Sequence, residues 1–570
     1  MTRILITSAL PYINGVKHLG NLVGSMLPAD VYARFCRAMG RETLYICATD
    51  EHGTPAELAA LEAGQDVRSY CAEQHQIQKD IGARFGLSWD YFGRSSSPQN
   101  HELTKEFARA LWARGHLEVR TTKQVYSNQE KRFLPDRYVI GTCPHCGYEF
   151  ARGDQCENCT RVLDPADLIK PRSALSGSTD IEIRDSAHLF LKQSDFVAQL
   201  RKWIDSHKAD WPVLVTSIAT KWLDEGLHDR GITRDLEWGV PVPDDIGDGR
   251  LKGKVFYVWF DAPIEYIAAT KEWADANGKG EAWRDWWTGK DVRYVEFMGK
   301  DNVPFHTVGF PVTIMGSGGP WKLVDTIKGF NYINYDGGKF STSQKRGVFM
   351  DSALEILPAD YWRYYLMANA PESSDSNFTW PHFAGVVNKD LADVLGNFVN
   401  RVTKFCAARF DGKVPEGEFS GDAQQDGAAV INDMWPRVER YTSYLESLEY
   451  RKAVAELRGI WAAGNGFLTV MAPWSRIKTD RAGAGAAVRM GLNLIHLFGH
   501  LSWPIIPTFA RKIHETIMPA PEVIPLPDEN MMEFLTQLEP GQPIQAPDVL
   551  FAKITDEQIA EWTARFGGTT

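Results

Sequence analysis

The sequence predicts a doubly wound parallel α/β sheet, split by a cysteine-bearing insertion and followed by an α-helical bundle. Three observations lead there. Continuous apolar strands alternate with amphipathic helices at the start of the chain and again near residue 300. Between those stretches lies a segment of different rhythm that holds four of the eight cysteines. After residue 385 strand signals fade and helical periodicity takes over.

Taken in order, ILITSAL (4–10) reads as a buried strand, followed by the loop PYINGVKHLGN. Leu22, Val23, Met26, Leu27, Val31, Phe35 and Met39 then share helical spacing, and Gly40 ends that helix. LYICATD (44–50) is a second buried strand, with a helix starting near Pro55. KVFYVWFDAP (254–263) reads as a strand running into a helix that carries Tyr266, and VRYVEFMGKDNVPFH (292–306) repeats the theme. Further on, Leu391, Val394, Leu395, Phe398, Val399 and Val402 mark the bundle, and the Gly/Asp-rich stretch 416–428 reads as a loop within it. The expected divisions are a first sheet half (1–96), an insertion (97–255), a second sheet half (256–330), a linker (331–385), a helical domain (386–540) and a tail that folds back (541–570).

Composition narrows the function classes. With 44% apolar and 24% charged residues the chain is ordinary globular protein, which excludes disorder, collagen-like repeats and a disulfide scaffold. A net charge of -11 excludes a nucleic-acid binder held by overall charge and leaves a local basic patch open. The N-terminus has one basic residue, Arg3, and no small-residue cleavage site, so it reads as a strand rather than a signal peptide. The most apolar stretch, 492–510, is interrupted by Asn493, His496, His500, Pro504 and Pro507 and reads as a core helix, not a membrane span. A cytoplasmic, reducing location follows as the expectation.

Cys143, Cys146, Cys156 and Cys159 form C-x2-C, nine residues, C-x2-C. Two such knuckles aim four thiolates at one point, which suits a closed, structural zinc site. Cys36, Cys47, Cys71 and Cys406 stand alone and read as core residues. Two loops suit phosphate. After the first strand, His18, Gly20 and Asn21 open a helix, where unpaired amides and the positive dipole end attract an anion. Later, GGKFSTSQKRG combines mobile glycines, the cations Lys339, Lys345 and Arg346, and the hydroxyls of Ser341, Thr342 and Ser343. Alone, the first loop is a plain helix cap and the second a solvated turn.

Together, in this order and separated by a zinc-bearing insertion, the H-L-G-N and K-F-S-T-S loops resemble class I aminoacyl-tRNA synthetases. ALPYINGVKHLGN, ATDEHGTP, FYVWFDAPIEY, GKDNVPFH and GKFSTS are similar to the blocks of the methionyl-tRNA synthetase family within that class. The HLGN and GKDNVPFH variants point to its eukaryotic and archaeal branch, whose extra zinc-ligating cysteines are missing from 127–130 and 171–178, so one zinc is expected. The resemblance implies a Rossmann-type catalytic domain and an anticodon-binding bundle. It implies ATP-dependent activation of L-methionine, with Mg²⁺ accompanying ATP, and transfer to initiator and elongator tRNA(Met). By similarity, Leu10, Tyr12, Asp50, Trp259, Ala262, Pro263, Tyr266 and His306 form the methionine pocket, with Asp50 on the ammonium group. His18, Gly20, Asn21, Lys339, Ser341, Thr342 and Ser343 take the phosphates, and Gly299 and Asp301 the ribose side. His18, Asn21 and Lys339 are the catalytic set. Asn397, Arg401 and Trp474 read the anticodon.

Two departures stand out. Asn21 replaces a common second histidine, and Thr342 replaces a common second lysine, for which Lys345 or Arg346 is expected to substitute. A leucine-, isoleucine- or valine-specific relative needs an editing insertion longer than this one. A non-catalytic RNA-binding relic is weighed against by intact Asp50, Trp259, Lys339 and His306. The sequence shows no appended tRNA-binding barrel, so a monomer with no membrane partner is expected.

Overall fold

The computed structural model describes residues 2–159, 161–341, 346–418, 422–527 and 531–568. Five strands form its central sheet: β1 (Arg3–Ser8), β2 (Thr43–Thr49), β3 (Tyr91–Arg94), β4 (Val292–Gly299) and β5 (Thr326–Phe330). All pairs are parallel and the order is β5-β4-β1-β2-β3, so the chain reverses its winding between β1 and β4. Ligands of such sheets bind outside the carboxyl ends of the strands at that reversal.

Alternation along the strands divides the interior into two cores. Ile4, Ile6, Tyr45 and Cys47 face one core, and Leu5, Leu44, Ile46 and Ala48 face the other. A continuous helix runs through the stretches Leu19–Asn21, Leu22–Met26 and Leu27–Ala38 (together α1), and Gly40, at φ 70°, follows its end. This helix lies in the first core, whereas α2 (Pro98–Ala113) and α3 (Glu265–Ala276) lie in the second. The expected boundary at residue 97 falls at the start of α2, which packs Leu103, Phe107 and Leu111 with the sheet residues. The added structure begins with the antiparallel pair Leu117–Ser127 and Ile181–Leu191, which carries a three-stranded sheet and the cysteines at its far end.

The reading of KVFYVWFDAP as a return of the parallel βα rhythm is corrected. The strand within it is only Val255–Phe256, and it pairs antiparallel with Thr233–Arg234, outside the central sheet. The aromatic residues that follow turn into a short helix, Val258–Asp261, that packs beside the cleft. The reading of 416–428 as a loop is also corrected, because a helix spans Asp422–Glu446.

The helical half shares the first core without a break. Helices α4 (Ala359–Ala368), α5 (Asn397–Arg409), α6 (Tyr450–Met471), α7 (Arg481–Ser502), α8 (Pro507–Glu515) and α9 (Asp556–Phe566) all contribute buried residues to it. A buried ion pair locks the joint. Arg363 of α4 donates to Asp30 of α1 at 2.7 Å and to the Ile505 carbonyl at 2.8 Å, and both side chains are fully buried. Burial alone would raise the Asp30 carboxyl, but Arg34, Arg363 and two Ser88 hydrogen bonds outweigh it and hold it at about 2. Helix α9 folds back, packing the tilted rings of Trp562 and Phe566 against Trp380 and accepting the Gly347 N–H at the Phe566 carbonyl. Among the described residues no helix is long and apolar enough to cross a membrane.

Candidate active site

The loop after β1 is built as a capping box. The Asn21 N–H donates to His18 Nδ1 at 3.3 Å, and the His18 N–H donates to Asn21 Oδ1 at 3.2 Å. This reciprocal pair fixes both side chains for a second use. With Nδ1 accepting, the His18 proton sits on Nε2, and with Oδ1 accepting, the Asn21 amide keeps its NH₂ group. Burial, helped by the Lys17 charge, lowers the His18 pKa to about 4, so the ring is a neutral donor at neutral pH. A Cβ on Gly20 would lie 2.9 Å from the His18 ring and 3.3 Å from Ile333 Cγ2, so a larger residue would push the ring out of place.

The second loop meets the first. Phe340 stacks on His18 with centroids 4.5 Å apart, and Leu19 and Met350 bond the backbone of Val348 and Lys17. Ser341 and Arg346 pair across the loop base, and Lys339 is exposed. Arg346 donates to the carbonyls of Tyr335 and Asp336 at 3.0 and 3.1 Å. These two bonds brace the hairpin. Thr342, Ser343 and Lys345 lie outside the described residues.

Beside these loops the pocket residues converge. Trp259 Nε1 donates to the Tyr12 hydroxyl at 3.2 Å, and Phe305 and the Arg230 guanidinium pack on the Trp259 ring. Leu10 is half-buried between the two cores, Ala262 is half-buried, and Pro263 is buried. His306 Nδ1 donates to the Asn302 carbonyl at 2.8 Å, which leaves Nε2 to accept from the Tyr266 hydroxyl at 2.9 Å. Burial lowers the His306 pKa to about 4. Both ring nitrogens of His306 are thus engaged inside the protein.

Asp50 follows β2 and bridges the backbone of Tyr12. Its Oδ1 is buried with no hydrogen-bond partner among the described residues. Burial, then the nearby Asp261 and Glu51 charges, push its pKa well above the carboxylate range. Such a group calls for a cation. Gly53, not Asp50, occupies the N-cap of the helix Thr54–Glu62. Gly299 ends β4, and the exposed Asp301 accepts from the Tyr332 hydroxyl. Sequence reasoning passed over Lys17. Burial lowers its pKa to about 7 despite the Asp50 charge, and its Nζ donates to Asn14 Oδ1 at 2.9 Å. Its place beside His18 was the available signal.

In the insertion, Cys143 and Cys159 sulfurs are 3.9 Å apart, those of Cys146 and Cys156 3.6 Å, and all four lie within 4.8 Å of one another. A tetrahedron with Zn–S bonds of about 2.3 Å has edges of about 3.8 Å, so the four sulfurs fit zinc. The Tyr148 N–H and the Asn158 amide donate to Cys146 and lower its thiol pKa, favouring thiolate. In the bundle, the Arg401 guanidinium lies 4.1 Å from the Trp474 ring centroid, and Asn397 is exposed one turn before Arg401 on α5. Trp474 is half-buried in the turn Pro473–Arg476, which Ala472, at φ 39°, splits from α6.

Residues 4–403 match the family model described as tRNA synthetases class I (M), and residues 414–570 match that of the anticodon binding domain of methionyl tRNA ligase. The chain belongs to the methionine–tRNA ligase family. It is 59% identical to the methionine–tRNA ligase of Ruegeria pomeroyi and 60% identical to that of a Caulobacter species, in each case over the full length of both chains. The fold matches Mycobacterium tuberculosis methionyl-tRNA synthetase in complex with methionyl-adenylate, with a TM-score of 0.77 at 23% identity, covering 97% of this chain and 100% of that one.

Proposed function

We propose that the cleft at the carboxyl edge of β1, β2 and β4 activates L-methionine with ATP and passes the methionyl group to tRNA(Met). The observation that carries this reading is the buried, unpartnered Asp50 oxygen next to an aromatic pair and a loop rich in anion donors. Asp50 takes the substrate ammonium group, which restores its ionised form. Tyr12, Trp259 and Leu10 enclose the thioether, and His306 holds Tyr266 in place. The substrate carboxylate then forms a bond to the ATP α-phosphorus as the bond to pyrophosphate breaks. No protein nucleophile takes part. His18 Nε2–H, the Asn21 amide and the Lys339 ammonium supply donors to the charge that builds on the phosphate oxygens. Gly20 keeps the His18 ring in register, and Gly299 and Asp301 face the ribose. ATP enters with Mg²⁺, which supplies charge neutralisation and is held by phosphates and water.

A 3′-terminal ribose hydroxyl of the tRNA next attacks the acyl carbon, and AMP leaves. Cys143, Cys146, Cys156 and Cys159 hold one zinc ion in a closed, structural site that braces the insertion. Asn397, Arg401 and Trp474 read unstacked anticodon bases by edge hydrogen bonds and stacking. Radiolabelled pyrophosphate tests the reading. Purified protein with ATP, Mg²⁺ and each proteinogenic amino acid in turn should form labelled ATP with methionine. Exchange with none of them, or preferentially with another one, would overturn it.

A further inference from the structure

Three histidines far from the cleft meet at one point. His496 and His500 stand one turn apart on α7, and His514 comes from α8. All three are buried. His496 Nε2 lies 3.0 Å from His500 Nε2 and 3.2 Å from His514 Nε2. We propose that His496, His500 and His514 form a second metal site that takes zinc through their three Nε2 atoms.

The chemistry of the surroundings supports it. His500 Nδ1 faces the Pro525 carbonyl at 2.5 Å, and His514 Nδ1 faces the Met518 carbonyl at 3.1 Å. A carbonyl only accepts, so both protons sit on Nδ1 and both Nε2 lone pairs point inward. This is the outer arrangement that orients histidine ligands in metal sites. Gln537 Nε2 lies 2.7 Å from His496 Nδ1, and turning that amide over lets His496 donate to it and free its own Nε2. Zn–N bonds of about 2.0–2.1 Å give tetrahedral edges of about 3.3–3.4 Å, close to the two separations.

The site is built by packing. A Cβ on Gly499 would lie 3.2–3.3 Å from the His514 backbone and Cβ, so glycine lets α8 approach α7. Phe534 stacks on His496 and meets His500 edge-on, covering the cluster with an apolar ring. Three nitrogens leave one tetrahedral position for water. An ion here ties α7, α8 and the segment bearing Met518, Pro525 and Gln537 next to the joint where the α7–α8 turn meets Arg363. The competing arrangement is metal-free, with His496 Nε2–H shared between the other two rings.

The full-length protein, exposed to zinc and desalted, should hold two zinc ions per chain by mass spectrometry of the metal. His496→Gln combined with His514→Gln should lower that to one, and so should Cys143→Ser combined with Cys146→Ser. X-ray absorption at the zinc edge of the unaltered protein needs no variant to fold. It should show sulfur and nitrogen ligands together. One zinc per chain with sulfur ligands alone overturns the proposal, as does retention of two ions by a folded histidine double variant.

Discussion

Asp30 and Asp50 are both buried carboxylates on the same domain, yet their surroundings treat them in opposite ways. Asp30 has Arg34, Arg363 and Ser88 around it, and its pKa falls to about 2. Asp50 keeps one oxygen without a partner, and its pKa rises well above the usual range. The first is a finished joint between the sheet and the helical half. The second is a half-made contact that, on the proposed function, a substrate cation completes. Burial alone does not separate structural from functional carboxylates. The partners within hydrogen-bond reach do.

The joint can be broken first, with the largest expected effect. Arg363→Ala leaves Asp30 buried beside fewer donors, and removing one partner of such a pair costs about 3–5 kcal/mol. Urea unfolding should show that loss in global stability, and a loss below about 1 kcal/mol would place the joint elsewhere. Acid sharpens the comparison. Asp30 has a folded pKa below its unfolded value, so its contribution, about 2–3 kcal/mol, is present above pH ~4 and fades as pH falls toward 2. Asp50 has a raised folded pKa, so in the free protein its contribution is present below pH ~4 and fades as pH rises. Stability profiles of Asp30→Asn and Asp50→Asn between pH 2 and 7 should therefore diverge, the first losing stability at neutral pH and the second gaining it.

The bundle allows a smaller test of the division between halves. Trp474→Ala removes a stacking face worth about 1–3 kcal/mol per base. Aminoacylation of tRNA(Met) should fall by roughly that energy, while ATP–pyrophosphate exchange stays level. An equal loss in both assays would make Trp474 structural.

Much of the fold was legible because its strands are continuous apolar runs and its helices keep one buried stripe. The four cysteines were legible for a related reason: two local turns make the site, and spacing alone reports it. Other features depend on contacts distant in sequence. Asp30 and Arg363 meet across 333 positions. The histidine cluster draws its fixing groups from the Met518 and Pro525 carbonyls, which leave no mark in residue type. Val255–Phe256 misled because an aromatic run suits a strand and a cleft wall equally. In H-L-G-N the cap and the phosphate-binding loop stood as rival readings; the structure shows the capping box, which leaves His18 Nε2 and the Asn21 amide group outside its two bonds.

The most direct measurement is thermal melting of the unaltered protein and Asp50→Asn, each with and without methionine at about a hundred times its dissociation constant for the unaltered protein. Ligand that binds only the folded state should stabilise the unaltered protein by about 2.7 kcal/mol. The account predicts that Asp50→Asn melts at the same temperature or higher without methionine and loses most of the rise that methionine brings. An undiminished rise in Asp50→Asn would contradict the assignment of this carboxylate to the substrate ammonium group.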